Sequence, residues 1–387
     1  MLLQENVKGV FMTEFDRAFE SLLMVNMGLK PGERVVVFSD LIRADESPSV
    51  EDRRRREALH ESARALTAYT ADKYGCAVFV DFPATAASGA EPPVELWNVL
   101  FGAKIVANLE VDGLLGKILS KKADTEDLDR ARGIVRADAA DVARVVIAMS
   151  NNSTSHTRFR ALANLAGARF ASLPHFDPEM FFTSMAVDWQ ALAERTERLA
   201  VAVNRGVSVE LSTPAGTALT FSISGRHAEG DDGLLTKPGS FGNLPAGEVY
   251  LAPLEGTAEG KMVIEYAPTR KLSEPLCLHI EHGEVVSVSG SDPHRDWLEG
   301  KFAQSGKNRN IAELGIGTND RATRPDNVLE AEKILGTVHI ALGDNSGFGG
   351  VVSTPFHEDY VLYKPTLKVN TADGEVVMIL DSGRLLV

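Results

Sequence analysis

The chain has 387 residues, 44% of them hydrophobic, which is ample for a buried core and by length suggests two domains. Asp and Glu number 54 against 40 Lys and Arg, a net charge of −14 that argues against nucleic acid as a partner. The two cysteines are too few for a disulfide framework or a thiolate metal site. Any metal must therefore be held by His, Asp and Glu.

The sequence gives no indication of a membrane or export route. No apolar run is long enough to span a bilayer, and residues 1–10 (MLLQENVKGV) lack a basic region followed by an apolar core. We therefore expect a cytoplasmic protein without a membrane partner.

The first half of the chain alternates helical and strand-like patterns. A helical period around Phe15 and Phe19 leads into a buried strand, and the same rhythm then recurs. The helix–strand pairs are residues 54–74 with CAVFVDF, VELWNVLFG with AKIVANLEV, TEDLDRARGIV with RVVIAMS, and TRFRALANLAG with ARFASLP. Such alternation is typical of a mostly parallel sheet covered on both faces, so we predict a Rossmann-like α/β domain over residues 1–195.

The pattern changes after a last long helix in DWQALAERTERLAVAVNRG. The segments VSVELSTPAGTALTFSIS, PLCLHIEHGEVVSVSG and LKVNTADGEVVMILDSGRLLV alternate with period two around glycine-containing turns. A short helix is expected near PDNVLEAEKIL. We predict a β-rich α+β domain over residues 196–387, which makes the whole chain an α/β protein.

Three places in the second half carry side chains suited to a metal site without cysteine. Glu248 follows a Pro-Ala-Gly turn and opens a strand, and Glu313 precedes a Gly-x-Gly turn that allows close backbone approach. His339 ends an apolar strand before a glycine-rich stretch that closes on His357 and Asp359. Because residues i and i+2 of an extended segment point the same way, His357 and Asp359 are predicted to share one metal.

The motifs that carry these residues resemble those of the aminopeptidase T group of metallopeptidases (family M29). The motifs NLPAGEVYLAP, AELGIGTN, EKILGTVHIALGDN and HEDY occur in the order and approximate spacing of that family and cover most of residues 240–365. The resemblance implies a pair of divalent metals and a homodimer. The residues that match the metal ligands of the family are Glu248, Glu313, His339, His357 and Asp359.

Two departures accompany a second resemblance. The peptidases carry a catalytic tyrosine where this chain has Ser346, and their last motif is usually His-Trp-Asp rather than His-Glu-Asp. The loop GDNSGFGGVVSTPFHED is similar to that of the 2,5-dihydroxypyridine 5,6-dioxygenases, which hold one Fe(II) with two His and one Asp. Those enzymes place an iron-binding histidine at the position of Glu313 and lack equivalents of Glu248 and His339.

We favour a metal-dependent hydrolase, in which a metal-activated water attacks an amide or C–N bond of a small substrate. In this hydrolase Glu313 would bridge two metals, and the expected cofactor is one or two divalent ions of Zn, Mn, Co or Fe. Ser346 or Tyr360 is predicted to replace the missing tyrosine as a donor to the oxyanion. His156 is expected either to face the metals from the first domain or, like Ser155, to cap the helix that follows.

The alternative is a mononuclear Fe(II) ring-opening dioxygenase, in which His339, His357 and Asp359 form a 2-His-1-carboxylate triad. This interpretation explains the loop but not the two retained glutamates. A non-catalytic binding protein on the same fold is the third hypothesis, and the loss of the tyrosine is its only support.

Overall fold

A computed structural model describes residues 14–387, so the N-terminal segment used for the targeting prediction lies outside the described residues. The elements are numbered in chain order. The helices are α1 (residues 14–21, continued by the π-helical turn Leu22–Asn26), α2 (Val50–Tyr74), α3 (Val94–Phe101), α4 (Ala103–Val111), α5 (Leu114–Leu119), α6 (Thr125–Ala137), α7 (Arg158–Leu165), α8 (Trp189–Val203), α9 (His294–Gln304) and α10 (Val328–Ala331).

The strands alternate with the helices in the first half of the chain and dominate the second half. They are β1 (Val35–Leu41), β2 (Ala77–Pro83), β3 (Val145–Ala148), β4 (Arg169–Ser172), β5 (Gly206–Ser212), β6 (Ala218–Ser222), β7 (Glu229–Asp231), β8 (Phe241–Asn243), β9 (Glu248–Leu251), β10 (Glu259–Ala267), β11 (Arg270–Glu281), β12 (Glu284–Ser289), β13 (Ile311–Gly317), β14 (Val338–Gly343), β15 (His357–Leu362), β16 (Thr366–Thr371), β17 (Val376–Asp381) and β18 (Arg384–Leu385).

The chain divides into two compact units. The first contains residues 14–186 and the segment Gly233–Pro245, and the second contains Val187–Asp232 and Ala246–Val387. The predicted boundary between residues 195 and 196 falls inside helix α8, which lies whole in the second unit.

The first unit is built on a parallel sheet. Its strand order is β2-β1-β3-β4-β8, and every neighbouring pair is parallel. Strand β1 is buried over six of its seven residues, as expected for β-branched and aromatic residues covered on both faces. Helix α2 is capped at its start by Ser49, whose hydroxyl accepts from the Asp52 amide, and at its end by Gly75 with a positive φ of 85°.

One predicted strand of this unit is a helix. The segment AKIVANLEV was predicted to follow its helix as a strand, but Ala103–Val111 forms helix α4. Ile105, Val106 and Leu109 are buried together on one side of that helix. Their spacing fits a helical stripe, and a run of nine residues was too short to distinguish a helix from a strand.

The second unit contains two antiparallel sheets. The larger has the order β12-β11-β10-β6-β5-β16-β17-β18, and the smaller has the order β15-β14-β13-β9-β7. Apolar side chains of both sheets belong to one hydrophobic core. The prediction of an α/β protein with a parallel N-terminal region and a β-rich second half is confirmed. Within the described residues, no helix has the length and apolar character needed to cross a bilayer.

Candidate metal centre

The five predicted ligands lie on one face of the smaller sheet of the second unit. The register pairs Gly317 with Glu248, and it pairs Ala341 with both Glu313 and Asp359. Paired residues share a face, and successive residues of each strand point to opposite faces. The ligand face carries Glu248, Glu313, His339, His357 and Asp359. The opposite face contributes Val249, Leu314, Ile316, Ile340, Leu342 and Tyr360 to the hydrophobic core.

The Gly-x-Gly motif lies within strand β13 and not in the predicted turn. A Cβ atom on Gly315 would lie 1.9 Å from Nε2 of His339, so the absence of a side chain leaves room for the imidazole. A Cβ atom on Gly317 would lie 2.1 Å from the carbonyl oxygen of Ile334. Both glycines are therefore required by close approach across the ligand face.

Within residues 14–387, the ligand atoms form two groups of three that share Glu313. Glu248, Glu313 and His339 form the first group, and Glu313, His357 and Asp359 form the second; within each group the atoms lie within 4.8 Å of one another. Nε2 of His339 lies 3.3 Å from Oε2 of Glu248 and 3.5 Å from Oε1 of Glu313. The predicted triad of His339, His357 and Asp359 is not one of these groups.

His357 is held in the orientation that a metal ligand needs. Its Nδ1 donates to the carbonyl of Asp344 at 2.7 Å, which leaves the lone pair of Nε2 for a cation. Nε2 lies 3.3 Å from Oε2 of Glu313 and 3.6 Å from Oδ2 of Asp359. The His357 side chain is 30% exposed, so this group is open to small molecules.

A buried carboxylate oxygen at the site fits a cation. Oδ1 of Asp359 is buried and accepts no hydrogen bond from the described residues, whereas Oε1 and Oε2 of Glu248 already face Lys333 and His339. Unsatisfied carboxylate oxygens are costly unless something with positive charge approaches them. Oxygen and imidazole donors suit divalent metals such as Fe, Mn, Co and Zn. The residues present therefore fit a divalent metal cofactor.

The neighbouring carboxylates raise the pKa values of both histidines. Burial alone would lower the pKa of His339, but Glu313 and Glu248 raise it to about 9. Burial has the same opposing effect on His357, whose pKa the neighbouring Asp359 holds well above its ordinary value. Burial would raise the pKa of Asp359, but the neighbouring His357 outweighs burial and holds the pKa of this carboxyl below its usual range. Without metal, protons take the place of a cation between these groups.

A buried lysine that the sequence analysis did not predict also belongs to the site. Nζ of Lys333 lies 2.6 Å from Oε1 of Glu248 and 3.0 Å from Oε2 of Glu332, and its side chain is 1% exposed. Burial raises the pKa of Glu332 to about 8 against the attraction of Lys333. Lys333 is 85 residues from Glu248 in the chain, so no local pattern indicates the pair.

The loop between β14 and β15 is anchored beside the site. The carboxylate of Glu255 accepts from the Asn345 side chain at 2.9 Å and from the Val351 amide at 2.8 Å, and it forms an ion pair with Arg226. The loop places the ring of Phe348 edge-on to the imidazole of His357, with 5.9 Å between ring centroids. An aromatic surface therefore borders the exposed part of the metal centre.

Tyr360, a predicted donor, does not lie among the ligands. It directly follows Asp359 in strand β15, so its side chain points to the opposite face of the sheet, where it is 1% exposed in the core. The hydroxyl lies 2.9 Å from Nε2 of His294, whose ring stacks on Trp297.

The two other predicted catalytic residues have different surroundings. Ser346 is exposed in the loop, where its hydroxyl donates to the Asp344 carboxylate at 3.0 Å. His156 is exposed in the turn that precedes helix α7, in the first unit. Their catalytic roles stay predictions.

Residues 105–386 match the family profile described as NicX, 2,5-dihydroxypyridine 5,6-dioxygenase. No curated protein matches the chain significantly by sequence.

Two solved structures share the fold of the chain. The 2,5-dihydroxypyridine dioxygenase of Pseudomonas putida KT2440 is 17% identical, with a TM-score of 0.64 over 97% of this chain and 96% of that one. AmpT of Thermus thermophilus is 16% identical, with a TM-score of 0.61 over 97% of this chain and all of that one. The two relatives predicted from the sequence motifs are therefore confirmed as relatives in fold.

Proposed function

Because the chain belongs to the NicX (2,5-dihydroxypyridine 5,6-dioxygenase) family and is a metal-dependent enzyme, we propose that it opens a small dihydroxylated ring with O₂. The family match over residues 105–386 carries this proposal. It reverses the preference for hydrolysis drawn from the sequence, in which the retained glutamates had counted against O₂ chemistry.

The residues that would hold the metal are Glu313, His357 and Asp359. When bound, Fe(II) supplies the redox chemistry with O₂ and leaves positions open to a ring diol. Glu313 takes the place of the histidine expected from the sequence comparison, so the ligand set is two carboxylates and one imidazole. The Asp344 carbonyl keeps the His357 imidazole in the tautomer that can bind.

The surroundings of the centre suit a planar substrate. The exposed portion of His357 gives access to the metal from solvent, and the edge of Phe348 provides an apolar surface at that opening. Aromatic rings favour such edge-to-face and offset contacts with another ring. A small aromatic diol is therefore the substrate class that we propose, and a homodimer remains the proposed assembly.

The test is O₂ uptake by protein purified and loaded with Fe(II) under anaerobic conditions. We expect consumption of O₂ with 2,5-dihydroxypyridine or a related ring diol, together with loss of the aromatic absorbance. Asp359→Ala should abolish both signals. The matched control His279→Ala changes an exposed histidine of strand β11 and should leave both intact.

Hydrolysis is the second candidate, and the sharing of Glu313 between two ligand groups favours it. A carboxylate between two metal sites is suited to a pair of ions that activates water for attack on an amide or C–N bond. Turnover of peptides or small amides by Zn-, Mn- or Co-loaded protein, with no O₂ uptake by the Fe(II) form, would replace the first proposal with this one.

A further inference from the structure

Lys333 introduces a fixed positive charge into the ligand face, beside one of the two ligand groups. Its ammonium contacts Oε1 of Glu248 at 2.6 Å and Oε2 of Glu332 at 3.0 Å, and almost none of the side chain reaches solvent. We infer that Lys333 acts as a built-in cation that neutralises Glu248, so that the site binds a single divalent ion. This inference rests on the metal site of the proposed function and deepens it.

The backbone holds Lys333 in this position. Its carbonyl accepts from the amide of Asn319 at 2.8 Å, and its amide donates to the carbonyl of Glu330 at 3.0 Å. The segment lies directly against Gly317, where a Cβ would meet the carbonyl carbon of Lys333 at 2.9 Å. Gly317 is the register partner of Glu248. The glycine therefore lets the lysine backbone approach strand β13, at the point where β13 pairs with Glu248 of strand β9.

The ammonium opposes a second metal at the neighbouring group. An ion bound by Glu248, Glu313 and His339 would share the Glu248 carboxylate with Lys333. Two cations close together in a buried site repel each other strongly, because little water screens them. The carboxylates of Glu248 and Glu332 contact the ammonium at 2.6 Å and 3.0 Å, and this pairing keeps the lysine charged.

One divalent ion completes the charge balance of the other group. Once Lys333 neutralises Glu248, the carboxylates of Glu313 and Asp359 balance both charges of one ion. Buried ions are stable only when they are paired in this way. His339 then contacts the shared ligand Glu313 and does not bind the ion itself. A mononuclear centre is the form that the ring-opening proposal requires.

The experiment measures metal stoichiometry rather than activity. Metal-free full-length protein is reloaded with Mn²⁺, and bound metal is determined by equilibrium dialysis and elemental analysis. We expect one ion for the wild type and two for Lys333→Met, with the spin-coupled spectrum of a Mn²⁺ pair appearing only in that variant. The matched control Lys261→Met changes an exposed lysine of strand β10 and should bind one ion.

Glu248→Gln provides a second measurement if Lys333→Met fails to fold. The inference predicts that this variant still binds one ion, because Glu248 pairs with the lysine and not with the metal. Two ions in the wild type, one ion in folded Lys333→Met, or loss of an ion in Glu248→Gln would each overturn it. The function is tested separately, since a wild type with one ion but no O₂ uptake rejects ring opening and retains the role of Lys333.

Discussion

The imidazole of His339 occupies the space where another residue type at position 315 would place its side chain. Strand β13 also carries Glu313, two residues before Gly315. One strand therefore supplies a ligand and leaves room for the imidazole of His339 on the adjacent strand. Conformational freedom is not the reason for this glycine, because its φ is not positive. Close packing against the ring is sufficient.

Gly315→Ala is therefore expected to displace His339 and damage the centre. The added methyl group overlaps the ring, and overpacking of this kind costs about 1–3 kcal/mol. Titration calorimetry with Mn²⁺ should show weaker binding together with a lower melting temperature. Gly300→Ala is the matched control, since a Cβ at that helical position meets nothing within 4 Å. Equal metal affinity in the two variants would contradict this account of Gly315.

Tyr360→Phe tests whether the core face of strand β15 affects stability without affecting metal binding. The change removes the hydroxyl that contacts His294, and the loss of one such hydrogen bond costs about 1 kcal/mol. We expect a modestly lower unfolding free energy in urea and an unchanged affinity for Mn²⁺. Asp359→Asn, one residue away, should instead weaken the binding of Mn²⁺. A metal-binding defect in Tyr360→Phe would show that its hydroxyl reaches the site after all.

At the scale of elements, the β14–β15 hairpin brings the histidine of one strand beside the His-x-Asp pair of the next. A hydrogen bond from Asn345 to Glu255 holds the connecting loop in place, and the carbonyl of Asp344 in that loop orients His357. The loop is therefore part of the metal centre and not merely a connection between the strands.

Glu255→Ala should loosen this loop. Hydrogen bonds to a charged carboxylate contribute about 1.5–3 kcal/mol each, and the variant removes those from Asn345 and Val351. Hydrogen exchange in residues 344–356 should therefore speed up by at least about tenfold if only part of this energy is lost. Glu281→Ala, at an exposed position of strand β11, is the control. Unchanged exchange in the loop would show that other contacts hold it.

The sequence predicted the elements and residues that depend on local pattern. Period-two alternation placed His357 and Asp359 on the same face, and the turn before Glu248 correctly marked the start of its strand. Alternation also places Tyr360 in the core, but its proximity to the motif suggested a catalytic role instead. Lys333 could not be found, because its effect depends on register with residues far away in the chain. Helix α4 was predicted as a strand because its short apolar run fits both the helical and the strand period.

At the scale of the whole molecule, metal and protons compete for the same site. The pKa of His339 is raised to about 9 and that of His357 lies well above its ordinary value. In the metal-free protein, the stability contributed by protonated His339 is complete below about pH 6.5, its ordinary pKa, and is lost as the pH rises through about 9. The free energy of unfolding should therefore decrease across this interval.

Metal binding should show the opposite trend. An ion that replaces a proton on His357 binds more tightly as the pH rises, by about tenfold per pH unit for each proton displaced. Calorimetric titration of chelator-treated protein with Mn²⁺ between pH 6.5 and 9 tests this, and the metal-loaded form should resist the alkaline loss of stability. Affinity that is constant with pH would show that His357 is not protonated before binding.

Chemistry and folding are assigned to alternate residues of the same strands. Side chains that face the core can be left untouched while polar positions opposite them are exchanged one at a time, so many such variants should fold with altered reactivity. The same division means that a ligand can be replaced without changing the side chains that pack the interior.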